Sequence, residues 1–295
     1  MTLLQLILSG VLVGSVYGLI AMGFVIVYRS ANVFNMAYGQ FAVLGAFIAW
    51  TFIGSPSAPK MPFPVAFFLT LLVAVALGLA IERLVFRRMI GRPLFSSFIL
   101  TLGLLAILNS VILIVWGPET VAFAKAFPSG SINLGGIILA KEYIRAFCVS
   151  AVAVAAFAFF FQRTKLGLAI RAAYDNQIAA RCLGVSARLN SQIAWVLCAL
   201  FATIGGILIA SVQGVSVFLS ELVMVVLAVV FLGGLDSLIG CMVGGLVLAI
   251  GVNLAGYYLN PYVPGIGSVF GLIVILLVLL IRPSGLFGTK PVERV

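Results

Sequence analysis

Apolar stretches long enough to cross a bilayer recur along nearly the whole chain, at about 4–28, 35–53, 64–86, 95–116, 143–161, 191–212 and 265–281. A hydrocarbon core about 30 Å thick takes about 20 helical residues, so each run suits one transmembrane helix. A further apolar run, between about 217 and 256, is too long for one crossing and is interrupted at Gly233-Gly234-Leu235-Asp236-Ser237. That pattern predicts two crossings or a re-entrant pair, and both return the chain to the side it left. Only 8% of the 295 residues are charged and 64% are apolar, against roughly 25% charged in a soluble domain. The expected fold class is an all-α membrane protein, a polytopic helical bundle of about 8–9 transmembrane segments, some broken or re-entrant. One transmembrane domain, 1–295, leaves no room for a soluble catalytic domain.

A formal net charge of +10 would suggest nucleic acid in a soluble chain. In a membrane chain basic residues first report orientation, because Lys and Arg near helix ends favour the cytoplasm. With the amino terminus outside and the carboxyl terminus inside, 13 of the 17 basic residues fall inside, and only Lys60, Lys125, Lys141 and Arg145 fall outside. Nucleic acid is therefore not an expected partner, while membrane lipid is. The first apolar stretch has no basic residue before Arg29, unlike a cleavable signal peptide, and reads as a retained helix.

Histidine is absent, and Cys148, Cys182, Cys198 and Cys241 show no ligand spacing. The cysteines read as small apolar packing residues, and metal, cofactor and histidine-based chemistry lose support. An intramembrane enzyme should bring together a nucleophile, a base or metal ligands, and no such set is visible.

Two loops exceed a tight connection. The outer one, about 117–142, carries the turn residues Gly117-Pro118, Pro128-Ser129-Gly130 and Gly135-Gly136. The inner one, about 163–190, is too polar to span. It reads as a helical stretch, a polar break at Asp175-Asn176-Gln177, and a second short helix ending near Gly184. Ile170, Ala173, Ile178, Ala179 and Leu183 interleave with Arg171, Asp175, Arg181 and Arg188. One side could lie on the membrane domain while the other meets a soluble partner. A rigid protruding element of this kind gives a motor protein something to grip.

Polar residues at membrane depth are costly, so Asn35, Gln40, Asn109, Gln213 and Asn253 are candidates for a translocation pathway, each with a purely bundle-holding alternative. Glu221 and Asp236 stand at probable edges, and Glu82 beside Arg83 reads as an interfacial pair. Gly10, Gly14 and Gly18 recur every fourth residue, as do Gly240 and Gly244, which marks faces of close helix approach. Gly233 and Gly234 sit where backbone has to turn. At membrane depth such a turn must be buried or line a cavity, which makes the pair a pathway pointer.

Four segments in order resemble the permease subunits of the branched-chain amino acid type of ABC importer, the half usually called LivH. They are VYRSANVFNMAYGQFAVLGAF, GLAIRAAYDNQIAARCLGV, FLGGLDSLIGCMVGGLVLAIG and LIRPSGLFG. In the second, this chain carries Ala179, Ala180 and Gly184 of the family's coupling pattern, with Ile178 where an acid often stands. Tyr38 replaces the commoner histidine. The resemblance implies coupling to an ATPase through Arg171, Asp175, Ala179, Ala180, Arg181 and Gly184. It also implies the partners: a homologous second permease subunit, two cytoplasmic ATP-binding subunits and a periplasmic or extracellular substrate-binding protein. The chain has no G-x-x-x-x-G-K-[ST] phosphate loop, which agrees with ATP hydrolysis on another subunit. The expected solute is a branched-chain or other small amino acid, or a related amide, urea or small organic acid, carried across a bacterial inner membrane. The rival is an ion-gradient-driven secondary transporter, which would need a buried carboxylate or an ion cage.

Overall fold

In hydrocarbon every backbone amide and carbonyl has to be paired within the chain, and a helix does this locally. The computed structural model describes residues 2–31, 33–54, 61–89, 92–123, 130–134, 137–175, 177–282 and 285–288. Among them six helices are long and apolar enough to cross a membrane. These are α1 (Thr2–Ala31), α3 (Phe63–Leu84), α4 (Leu94–Trp116), α5 (Lys141–Arg163), α8 (Ala187–Gln213) and α10 (Leu238–Tyr258). Shorter apolar helices are α2 (Tyr38–Gly54), α9 (Leu222–Gly233) and α11 (Ile266–Ile281), and α6 (Lys165–Asp175) and α7 (Gln177–Cys182) form the polar inner segment. The protein is thus a polytopic helical membrane protein.

Helix α1 is the axis of the bundle. It packs against α10, α8, α5 and α9, and most of its length from Val16 to Val27 is fully buried. Its closest approach is to α10 and follows the four-residue glycine spacing. A Cβ at Gly14 would lie 2.7 Å from the Gly245 carbonyl oxygen, and one at Gly10 would lie 2.8 Å from the Ile250 Cα. The later glycine pair faces elsewhere: Gly244 abuts Val229 of α9 and Gly240 abuts Gly233. The two glycine faces of α10 therefore press on different neighbours, one of them α1, and both contacts lie within this chain. Midway along α1, the Ser15 and Ser150 hydroxyls share a buried 2.8 Å hydrogen bond that ties α1 to α5.

Helices α3, α4, α5 and α11 form the periphery and expose apolar side chains such as Phe68, Phe95, Ile114, Phe159 and Leu280. Such residues suit lipid or another transmembrane subunit.

Three expectations need correction. The expected all-α chain carries a short strand pair, Ser131–Leu134 (β1) antiparallel with Ile137–Ala140 (β2), in the 117–142 loop, so it is mostly rather than strictly helical. Pro128, Ser129, Gly135 and Gly136 lie outside the described residues. The second span starts at Tyr38 rather than about 35, which leaves Asn35 in the break before α2. Glu82 pairs with Arg87 at 3.2 Å, not with Arg83, and is fully buried.

Candidate translocation and coupling site

Two helices begin inside the bundle instead of at its ends. After α1 the chain turns back along itself. The Tyr38 hydroxyl, at the start of α2, donates a 2.6 Å hydrogen bond to the Ile20 carbonyl, about 16 Å before the end of α1 at 1.5 Å per residue. Asn35 fixes this turn: its Oδ1 accepts from the Ala37 amide at 3.1 Å and its Nδ2 lies 3.9 Å from Cys198 Sγ. Thr101 of α4 closes it from the other side, accepting from the Met36 amide at 3.2 Å and donating to the Phe34 carbonyl at 3.2 Å.

Helix α9 has the same character. Val215 pairs with Val121 of the outer loop through two backbone bonds of 2.9 and 2.8 Å. The chain then forms a 3-10 turn over Val217–Glu221 before the 12 residues of α9, which cover about 18 Å, shorter than the hydrocarbon core of a bilayer. The two re-entrant starts touch, because a Cβ at Gly39 would collide with the Ser220 carbonyl oxygen. The amino-terminal ends of two partial helices therefore converge within the bundle, each with the positive end of its dipole.

Beside this junction Gln40 Nε2 donates to Asn109 Oδ1 of α4 at 3.5 Å, while the buried Gln40 Oε1 has no partner. Glu221, the residue before α9, is exposed on this chain's surface and adjoins Ser220 of the junction.

The other predicted pathway residues lie apart from the junction. Gln213 is exposed at the carboxyl-terminal end of α8. Asn253 holds α10 to α1, donating to the Leu6 carbonyl at 3.4 Å and to Ser9 Oγ at 3.1 Å. It faces an outer cavity of about 500 Å³ that also takes Gln5, Tyr143 and Tyr257. Gly233 and Gly234 form the elbow between α9 and α10, at the end of α1 that carries Arg29. Gly234 has φ +108°, open to glycine at little cost. The elbow's carbonyls are occupied: the Leu286 and Phe287 amides donate to Leu232 and Gly233 at 2.9 and 3.0 Å.

The polar inner segment folds as two short helices, as its pattern predicts. Ile170 and Ala173 are buried, and Tyr174 packs on the end of α1. Burial raises the Tyr174 phenol to about 12 despite the opposing Ser30 hydrogen bond and Arg29 charge, so it stays neutral under physiological conditions. Arg171 turns back along α5, its Nη2 donating to the Gln162 carbonyl at 3.4 Å. On α7, Ala180 is buried, while Ala179, Arg181 and Leu183 are exposed. The helix stops at Gly184, φ +87°, where the Gly184 and Val185 amides donate back to Arg181 and Ala180 at 3.0 and 2.9 Å. The Asp175 side chain and Asn176 lie outside the described residues.

Sequence reasoning weighed Glu221 as a polar residue near the pathway and set it at an edge, but did not single out Arg29. Nothing in sequence marks the partners of Arg29.

A bundle of helices long and apolar enough to cross a membrane, with two shorter helix starts and the half-paired Gln40 amide meeting among them, suits a membrane permease. The chain belongs to the branched-chain amino acid transport system / permease component family, which matches residues 6–281. It is 29% identical to the high-affinity branched-chain amino acid transport system permease protein BraD of Pseudomonas aeruginosa, over 99% of this chain and 98% of that one. It is 27% identical to the corresponding LivH of Escherichia coli K12, over 99% and 97%. A probable LivH of Methanocaldococcus jannaschii is 26% identical over 96% and 92%. The protein is accordingly a multi-pass transport permease of the inner (plasma) membrane.

Proposed function

We propose that this permease forms half of the path by which an ABC importer takes in a branched-chain or other small amino acid. The convergence of the α2 and α9 starts at Gly39 and Ser220 is the observation that carries this reading. An amino acid brings a carboxylate and an ammonium group. Helix amino termini favour the first, and Glu221 at the head of α9 suits the second. Gln40 and Asn109 supply amides beside them. Of the other pathway candidates, Asn35 shapes the turn, Gln213 and Asn253 stand toward the outer end, and Gly233 and Gly234 form the inner elbow.

In this reading eight or nine segments enter the membrane, α2 and α9 only partly, with the amino terminus outside and the carboxyl terminus cytoplasmic. The preponderance of basic residues at one set of helix ends supports that orientation. The coupling segment, about 163–190, receives motion from two cytoplasmic ATP-binding subunits, and Ala179, Arg181 and Gly184 are its outward-facing part. Ala180 and Arg171 belong to its frame, and Asp175 ends its first helix. A homologous second permease completes the path, and an external binding protein delivers the solute. The names of the relatives support the solute class, and the missing phosphate loop supports separate ATPases.

Affinity purification in mild detergent, followed by reconstitution, tests the whole. The expected result is co-purification of a second permease and two ATPases, with ATP-driven uptake of labelled leucine. A homodimer with uptake driven by an ion gradient would overturn it.

A further inference from the structure

The inner ends of α1, α5 and α10 and the membrane-side face of α6 enclose a cavity of about 670 Å³. Its rim is cationic: Arg29, Arg163 and Arg171 line it, and Asp236 is the acid among its described lining residues. Arg29 is already engaged with the Asp236 carbonyl. Arg163 is the last residue of α5, a helix long and apolar enough to cross a membrane, so its charge stands at the end of that apolar length. The Arg171 guanidinium is held 5.7 Å from the Phe161 ring, and its buried Nε has no partner.

Deeper in, the wall is apolar, formed by Met22, Val154, Phe157 and Met242. Ile239, at the mouth, is 73% exposed, so the cavity opens on the α10 side. Cationic groups at headgroup height above an apolar slot that runs into the hydrocarbon match a single amphiphile with an anionic head. Basic pockets between transmembrane helices at this level attract acidic headgroups in this way.

We propose that this cleft binds one anionic phospholipid, with its phosphate on Arg163 and Arg171 and an acyl chain against Val154 and Met242. The lipid would brace α6 on the end of α5, so the anchoring of the inner segment would depend on leaflet composition. This inference rests on the membrane-spanning bundle alone, so it stands or falls separately from the solute and the ATPase partners.

The test uses the full chain purified in mild detergent with whatever subunits accompany it. Native mass spectrometry compares retention of phosphatidylglycerol with that of phosphatidylcholine bearing the same acyl chains. Phosphatidylglycerol should be retained preferentially, and the Arg163→Gln/Arg171→Gln variant should lose that preference on the order of tenfold. Ala158→Trp, which fills the slot and keeps every charge, should lose it too, while Arg188→Gln outside the cleft should not. Thermal melting gives a second readout, in which phosphatidylglycerol raises the wild-type midpoint and inorganic phosphate does not. Equal retention of the two lipids, full retention by the double variant, or the same stabilisation by phosphate alone would overturn the assignment.

Discussion

Arg29 Nη1 donates a 2.8 Å hydrogen bond to the backbone carbonyl of Asp236. The other side of the same guanidinium lies 4.6 Å from the centre of the Tyr174 ring. One side chain at the end of α1 thus joins α6 of the inner segment to the α9–α10 elbow. Movement of α6 has a direct route to α9, whose far end meets α2 at the junction.

Replacing Arg29 by Met should remove both contacts while keeping the stem. A charge-assisted hydrogen bond and a cation–π contact together are worth about 2–3 kcal/mol. Transport per ATP hydrolysed by the reconstituted assembly should fall well below wild type, with hydrolysis retained. Arg29→Lys should recover only part, because an ammonium cannot present a flat face to the ring while bonding the carbonyl. An unchanged ratio in Arg29→Met would exclude this linkage.

At Gly184, apart from the adjacent residues, no atom of the described residues lies within 4 Å of a would-be Cβ. A side chain there meets open space and pays only for its left-handed backbone, about 1–2 kcal/mol and less for Asp. Gly184→Asp should therefore reach the membrane with nearly normal thermal stability and still lose uptake, since the obstruction would be felt by the docked ATPase. Normal uptake would count against docking at this point.

Gln40→Leu should keep the fold, because the Gln40 amide oxygen lacks a partner among the described residues and the bond lost is the 3.5 Å one to Asn109, and should lower uptake at least about tenfold if the amide meets solute in passage. Glu221→Gln should act similarly on zwitterionic solutes. The informative measurement is competition between an amino acid and its N-acetyl derivative, which lacks the ammonium, since loss of the Glu221 carboxylate should narrow the preference for the free ammonium. Wild-type uptake by both variants would move the path away from the junction.

Gly14→Leu should be severe, because the Gly245 carbonyl oxygen and the Leu246 Cα stand 2.7 and 2.8 Å from a Cβ there. Overpacking of this kind costs about 1–3 kcal/mol or more. Gly103→Ala on α4, with nothing within 4 Å, should be neutral or slightly stabilising in the same melting experiment. Equal midpoints for the two would mean that α1 and α10 are not in close contact.

Hydrophobicity alone was enough to place the spanning helices within a few residues, because a bilayer demands apolar length and little else. The inner segment's two helices and its stop at Gly184 were equally legible, since helix period, polar break and glycine are local signals. The glycine spacing on α1 announced a close contact without its partner. Only the packed bundle shows that Gly14 meets Gly245 while Gly244 turns to α9.

Depth was the larger gap. Apolar side chains read alike in a long helix and a short one, so the shortness of α2 and α9 was not legible, and for 217–256 two crossings and a re-entrant pair stayed equally open. Partners were equally hidden: Arg29 with Tyr174 and Asp236, or Gln40 with Asn109, are far apart in the chain and meet only through tertiary contact. Composition fixed the solvent this chain lives in and the elements it forms, because those follow from each segment's own transfer free energy. Which polar groups converge was decided by helix packing, because that depends on surfaces distant in sequence.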